Sequence, residues 1–344
     1  MRSVLVLSLL VAAALAVPAP IQPRGSLEFD SFWSLEEIYD YMDSLEAEFG
    51  SICEVEMMGR TEEGREIRGL RIANEEHLGQ EFLPIVLVTA GASARDWIAV
   101  MAAVEIMHEL VEHYESFQNI VDDLEWFIIP VANPDGYVFS MTEGNRDWVK
   151  NRRVNPESDC VGVNIERNFM FNFGLDLQSS TDPCSDNFSG PEGDSEEETK
   201  TIQFAVDLTR RFQQAYISIK AGSNAAHSAI AYPFSSNNEL FWPNFQDQIG
   251  LANIMTDAVL RNAGARYRAT SEANIVGFVS GTSADYASGT DRIPHAFTIY
   301  APAAGVNGWD VPENQINRIV DEIFFAVAAA GNYAVNLPFP TAQM

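Results

Sequence analysis

The chain has 344 residues, and 47% of them are hydrophobic, which is enough apolar material for a large core. Its 49 acidic residues outnumber the 21 lysines and arginines and give a formal net charge of −28. This charge argues against nucleic acid and anionic lipid surfaces as partners, because both would be repelled.

The N-terminus has the pattern of a secretory signal peptide. Arg2 precedes an apolar run at residues 4–13, and Ala14-Leu15-Ala16 offers a small-x-small cleavage site. The run is short for a membrane span, although an uncleaved anchor helix is the alternative reading. We therefore predict a signal peptide at 1–16 and a secreted, extracellular protein that does not partner a membrane.

Hydrophobic periodicity predicts alternating helices and strands along the rest of the chain. Ser34 and Glu37 form a capping box at the start of the first helix. In chain order the pattern predicts a helix at 35–49, a hairpin at 55–60 and 67–72, a strand at 85–90, a helix from about 95 to 116, a strand at 124–131 closed by a loop at 133–136, an irregular loop at 145–190, a helix at 195–213, a strand at 216–219, a helix within 241–263, a strand at 296–300 and a helix at 315–332. The alternation predicts an α/β fold with a mainly parallel or mixed sheet covered on both faces.

Three cysteines leave one unpaired if a disulfide forms. Cys160 and Cys184 flank a polar loop and are the expected pair in an oxidising compartment. Cys53 lies in an alternating run and is expected to be a buried thiol. Asn187 begins an N-glycosylation sequon, Asn-Phe-Ser, close to the second cysteine of the pair.

The strand at 85–90 and the turn after it predict the position of a functional site. Open α/β sheets bind ligands just past the carboxyl ends of their strands, so residues 92–97 should line any site.

Several motifs in order resemble the secreted zinc carboxypeptidases of the digestive (pancreatic carboxypeptidase A/B) type. They are SLEEIYDYMDSL, GR-x-x-EGR-x-I, AGASARDWI, NPDGY, NRDW, ERNF and the Tyr-Pro at 232–233, together with the cysteine spacing. The resemblance covers residues 29–336 and implies one α/β domain with a mixed eight-stranded sheet. Residues 17–28 would be a short N-terminal segment, with no large pro-domain, and residues 337–344 a C-terminal tail.

The chemistry of that family needs three protein ligands on zinc, a glutamate as general base and an arginine facing the oxyanion. Its first two ligands align with Ser93 and Asp96, and its third, a histidine, aligns with Lys220. The base aligns with Tyr300 and the oxyanion arginine with Val149, and a loop tyrosine is missing near residue 277. The resemblance therefore implies no bound zinc, no other cofactor and no catalytic residues.

The family's clamp for the C-terminal carboxylate of a substrate is partly kept. Arg146 and Arg167 match it, and Arg95 matches the neighbouring arginine. The asparagine of the clamp, however, aligns with Glu166, which would compete for Arg167 and repel a peptide carboxylate. The alternative is that these arginines form internal ion pairs with Asp96 and Glu166.

Other histidines offer no evident replacement metal site. His108 and His113 are five residues apart in a predicted helix, so they should point about 140° apart and be exposed. His227 follows the Lys220 strand, and a shifted loop would be needed to bring it inward. Instead, Lys220 is predicted to pair with Asp96 and supply a fixed positive charge where zinc would sit.

The leading hypothesis is a secreted pseudo-enzyme that binds a peptide or protein partner. One alternative is an active metallocarboxypeptidase with unusual ligands. The other is a bulk secreted protein without a specific ligand. The sequence leaves the oligomeric state open.

Overall fold

The computed structural model describes residues 27–78, 83–224, 227–236 and 245–337. The predicted signal peptide and nearly all of the predicted tail lie outside these ranges. Within them, no helix is both long enough and apolar enough to cross a membrane.

The described residues form helices and strands that alternate along the chain. The helices are α1 (Leu35–Phe49), α2 (Trp97–Glu112), α3 (Tyr114–Val121), α4 (Pro134–Ser140), α5 (Glu197–Thr209), α6 (Phe245–Ala263), α7 (Ala273–Val276), α8 (Ser283–Gly289) and α9 (Ile316–Val335). The strands are β1 (Cys53–Arg60), β2 (Glu66–Ile72), β3 (Ile85–Ala90), β4 (Glu125–Ile129), β5 (Gln213–Lys220), β6 (Ala229–Tyr232), β7 (Arg268–Ser271) and β8 (His295–Tyr300). Short 3₁₀ helices cover Ile165–Arg167 and Glu313–Gln315.

The eight strands form one mixed sheet in the order β1-β2-β4-β3-β5-β8-β6-β7. The central strands β4, β3, β5 and β8 run parallel to one another. The pairs β1–β2, β2–β4 and β6–β8 are antiparallel. The predicted fold class, a single α/β domain with a mixed eight-stranded sheet, is confirmed.

Both faces of the central parallel strands are buried, as expected for a parallel sheet covered by helices. Every residue of β3 is buried. Val86 and Val88 pack into a core with residues of α1, α2, α3, α6 and α9. Leu87, on the opposite face, packs with α5 and α8. The helices packed on both faces hold the ends of the central strands in fixed positions.

Several element boundaries differ from the sequence prediction. The segment at 133–136 was predicted to be a loop, but it begins α4, because the Asn133 side chain accepts a hydrogen bond from the backbone N–H of Gly136 and caps the helix. The pattern also missed the four-residue strands β6 and β7, which are too short to show a period. The predicted buried thiol is confirmed, since Cys53 is 1% exposed.

The prediction for His108 and His113 is wrong. His108 is buried, and the centroids of the two imidazole rings are 5.0 Å apart. The reason is that α2 ends at Glu112, and His113 has φ −106° and ψ 27°. The angular spacing of residues in a continuous helix therefore does not apply to His113. The predicted helix to residue 116 is thus two helices with a break at His113.

The buried face of α2 also carries acidic side chains. Glu105 is fully buried, and neither carboxylate oxygen has a hydrogen-bond partner among the described residues. Burial, with Glu109 and Asp321 nearby, raises the pKa of Glu105 to about 9. We therefore expect Glu105 to be protonated at neutral pH.

Candidate functional site

A cavity of about 370 Å³ lies where β3, β5 and β8 end. Nine of the side chains singled out in the sequence line it, namely Ser93, Arg95, Asp96, Val149, Glu166, Arg167, Asn187, Lys220 and Tyr300. The fold thus brings together residues spread over more than half of the chain. Arg146 is not among the lining residues, and His227 is exposed outside the cavity.

The turn after β3 sets the positions of Ser93 and Asp96. Gly91 has a φ of 64°, where a side chain would be strained, and the N–H of Ala94 donates to the carbonyl of Val149 at 3.0 Å. Asp96 stands at the N-terminus of α2, and its buried carboxylate accepts a hydrogen bond from the N–H of Ala221. Burial outweighs the nearby positive charges and raises the pKa of Asp96 to about 6.

Lys220, the last residue of β5, occupies the centre of a buried ion-pair network. Its Nζ lies 3.0 Å from Oε2 of Glu166 and 3.5 Å from Oε1 of Glu272. Burial alone would lower the pKa of Lys220, but the surrounding acidic groups raise it well above its ordinary value. The predicted ion pair with Asp96 is therefore wrong, since Lys220 pairs with Glu166 and Glu272 among the described residues.

Glu166 is held in its charged form by two partners. Burial would raise its pKa, but Lys220 and Ser283 lower it below the ordinary value. The Ser283 hydroxyl donates to Oε1 at 2.9 Å, and the Ser283 N–H donates to Oε2 at 3.3 Å. The side chain of Glu166 is thus committed to Lys220 and Ser283.

Tyr300, the last residue of β8, is tied to the same network. Its hydroxyl donates to Oε1 of Glu272 at 2.7 Å. Burial and the Glu272 carboxylate raise the pKa of Tyr300 well above its ordinary value. This phenol is therefore neutral at any pH at which the protein would work.

The three arginines differ in the partners of their guanidinium groups. Arg146 donates to the carbonyls of Arg95 and Trp309 at 2.8 and 2.9 Å, and its Nε lies 3.2 Å from Oδ1 of Asp310. Arg95 stacks on the ring of Trp309, with its guanidinium carbon 3.7 Å from the ring centroid. The predicted internal ion pairs of these arginines with Asp96 and Glu166 are therefore wrong.

Arg167 uses little of its hydrogen-bonding capacity within the described residues. Its Nη1 donates to the backbone carbonyl of Glu166 at 2.8 Å, and no carboxylate among the described residues lies within ion-pair distance. Its Nε is buried and has no hydrogen-bond partner within the same ranges. Arg167 thus retains hydrogen-bonding capacity beside the cavity.

The predicted disulfide between Cys160 and Cys184 is confirmed. The segment that follows Cys184 runs along the cavity, where Asp186 and Asn187 line the wall.

The sequence matches the profile of a known family along most of its length. The profile described as zinc carboxypeptidase matches residues 38–326. The chain belongs to the zinc carboxypeptidase family. The inferred resemblance is thereby confirmed at the level of the family.

Individual members of the family are similar along nearly the whole chain. A carboxypeptidase B of Astacus astacus is 29% identical over 308 residues, covering 89% of this chain and 98% of the relative. A protein of Saccharomyces cerevisiae named inactive metallocarboxypeptidase ECM14 is 26% identical over 308 residues, covering 87% of this chain and 70% of that protein. The crystal structure of carboxypeptidase A from Helicoverpa armigera superposes with a TM-score of 0.82 at 28% identity, covering 90% of this chain and 75% of that one.

The residues at the zinc positions of this zinc carboxypeptidase homologue do not fit a zinc ion. Zinc sites are built from Cys, His, Asp and Glu, but the three aligned positions hold a hydroxyl, one carboxylate and an ammonium group. Lys220 would have to leave two carboxylates and lose its proton before it could bind metal. In the described part of the chain, no group of three or more His, Cys, Asp or Glu side chains could hold a metal ion.

The sequence reading missed Glu272, which completes the network. This residue follows β7, a strand that the periodicity did not reveal, and it has no counterpart among the motifs of the resemblance. One signal was available in principle. A lysine buried in place of a ligand requires compensating negative charge, and Asp96 was the only acid that the sequence analysis paired with it.

Proposed function

We propose that this zinc carboxypeptidase homologue is exported and non-catalytic, and that it binds a peptide or protein partner through the retained cavity. The observation that carries the proposal is the position of the Lys220 ammonium group. It lies between the buried carboxylates of Glu166 and Glu272, at the place aligned with a zinc ligand of the family.

The other aligned positions support the absence of peptide hydrolysis. A neutral, buried phenol cannot take a proton from water at neutral pH, and Tyr300 aligns with the general base. Val149 carries no charge that could stabilise an oxyanion. One relative is named an inactive metallocarboxypeptidase, and a non-catalytic role for this chain is in line with that name.

Arg167 supports the binding of a negatively charged group. Its side chain lines the cavity, and a planar guanidinium matches the geometry of a carboxylate. The expected competition from Glu166 is weakened, because that carboxylate is bound to Lys220 and Ser283. The ligand we propose is therefore a chain segment that ends in a free carboxylate.

Calorimetric titration with matched peptides tests this proposal. A peptide with a free C-terminus should bind more tightly than the same peptide amidated. Arg167→Gln should remove that difference, and Arg167→Lys should reduce it, because lysine lacks the planar fork. Arg210→Gln, at an exposed arginine, is the control and should change nothing. Equal binding of both peptides would contradict the carboxylate site, and no binding at all would favour the bulk secreted protein.

An assay for release of C-terminal residues tests the remaining alternative. We expect no turnover above background with or without added zinc. Turnover that a chelator abolishes would contradict a non-catalytic role and favour an active metallocarboxypeptidase.

A further inference from the structure

The N-glycosylation sequon lies on the wall of the cavity. Asn187 lines the cavity and is half-buried, whereas Phe188 and Ser189 are buried behind it. The Asn187 side-chain amide makes no hydrogen bond with another described residue. Its nitrogen is thus not engaged in holding the loop.

The backbone around Asn187 is fixed on both sides. The N–H of Ser180 donates to the Asn187 carbonyl at 2.9 Å, and the N–H of Asn187 donates to Oγ of Ser185 at 3.1 Å. Asn164, another residue of the cavity wall, donates from its backbone N–H to the carbonyl of Phe188 at 2.8 Å. Its Nδ2 donates to the carbonyl of Asp186 at 3.0 Å.

The disulfide at Cys184 anchors the same segment three residues earlier. A group attached to Asn187 could not swing away with a mobile loop. It would stay beside the cavity.

We propose that Asn187 carries an N-linked glycan that stands at the mouth of the cavity and restricts access to it. An N-linked glycan is bulky and hydrophilic, so it hinders broad ligands more than an extended chain end. The modification rests on the proposed export, because this glycan is added in the secretory pathway. Its effect on partners deepens the proposed function, since it would select slim peptide ends over folded surfaces.

Occupancy is tested on the full chain produced in insect cells and collected from the medium. The intact mass should fall when the glycan is removed enzymatically. Asn187→Gln and Ser189→Ala, which destroy the sequon in two ways, should both give the unmodified mass. An unmodified Asn187 in the exported protein would overturn the proposal.

Access to the cavity is measured without any ligand, by labelling a thiol introduced with Ser93→Cys. Cys53 is buried and the other two cysteines are paired, so the introduced thiol is the reactive one. A bulky polymer maleimide should react about tenfold more slowly with the glycosylated protein than with its Asn187→Gln counterpart, a barrier higher by about 1.4 kcal/mol. A small maleimide should react at nearly equal rates. Val276→Cys, elsewhere on the cavity wall, provides a second reporter.

A relocated glycan is the matched control. Ile254→Asn creates an Asn-Met-Thr sequon on α6, where residue 254 is exposed and outside the cavity lining. Combined with Asn187→Gln, it should give a glycosylated protein whose introduced thiol reacts as fast as in the unglycosylated one. Equal rates for all forms would overturn the proposal. Because no peptide is used, this outcome is independent of whether the peptide-binding proposal holds.

Discussion

The Nζ of Lys220 lies 3.0 Å from Oε2 of Glu166, and the two side chains are only 13% and 7% exposed. The resemblance places a histidine ligand at the first position and the asparagine of the substrate clamp at the second. Glu166 without Lys220 would be a buried carboxylate without a cation, which costs several kcal/mol. Lys220 without Glu166 would keep only the 3.5 Å contact with Glu272. Together they form an ion pair, to which Glu272 adds a second carboxylate. The two departures from the family pattern are therefore physically linked.

Removing the ammonium group of this network should destabilise the protein strongly. Lys220→Met keeps the length of the side chain but leaves Glu166 and Glu272 facing each other without a cation. We expect a loss of about 3–5 kcal/mol in the free energy of unfolding, measured by urea denaturation. Lys200→Met is the control, because Lys200 makes an exposed ion pair with Glu197 and such pairs contribute about 0–1 kcal/mol. Similar small effects of both variants would contradict a structural role for Lys220.

The coupling between Lys220 and Glu166 can be measured separately. Adding Glu166→Gln to Lys220→Met removes one of the stranded carboxylates, so the double variant should recover part of the lost stability. We expect an interaction free energy of about 1–3 kcal/mol in a double-mutant cycle. Additive effects of the two substitutions would show that the 3.0 Å contact does not contribute to the free energy of unfolding.

The disulfide should stabilise the wall of the cavity. Replacing Cys160 and Cys184 together by serine opens a loop whose ends are 24 residues apart in the sequence. We expect a loss of about 2–4 kcal/mol, measured by thermal or urea unfolding. The unaltered protein should lose a similar amount when fully reduced. If reduction has no effect on stability, the bond does not constrain this loop.

The buried acid of α2 predicts a pH dependence of stability. The pKa of Glu105 is about 9 in the folded protein and about 4.3 in an unfolded chain. Below the lower value both states are protonated, and as the pH rises towards 9 only the unfolded state releases its proton. The contribution of Glu105 to stability is therefore full in acid and is lost as the pH rises.

Glu105→Gln should remove this loss. Relative to the unaltered protein, we expect the variant to gain on the order of 5 kcal/mol at pH 8 and less than about 1 kcal/mol near pH 4.5. Glu115→Gln, at an exposed position on α3, should show no such difference. A gain that does not depend on pH would indicate packing rather than titration as its cause.

Long periodic segments were predictable from the sequence because their pattern is local. The bounds of α1 and β3 agree with the prediction, and the strands β5 and β8 were found with ends differing by a few residues. The break at His113 was not visible, because apolar spacing continues across it into α3. The short strands β6 and β7 depend on pairing with distant residues rather than on their own pattern.

The residues that form the site were predictable, but the ion pairs among them were not. Motif order placed Ser93, Asp96 and Lys220 near one another, because the ends of neighbouring parallel strands share an edge. The choice of partner for Lys220 depended on Glu272, which follows β7, and on the Ser283 bonds that orient Glu166. Similarly, Arg146 aligns with a substrate-binding arginine but is held by Asp310 and the carbonyl of Trp309. Such contacts join segments far apart in the chain and leave no local signal.

The zinc content of the purified protein tests the central claim most directly. The protein should be collected without added metal, dialysed against zinc and then against buffer, and measured by mass spectrometry of the element against protein concentration. Because the ammonium group of Lys220 lies where a ligand would be needed, we expect well below one zinc ion per chain. One tightly held zinc ion per chain, removed only by a chelator, would contradict the account.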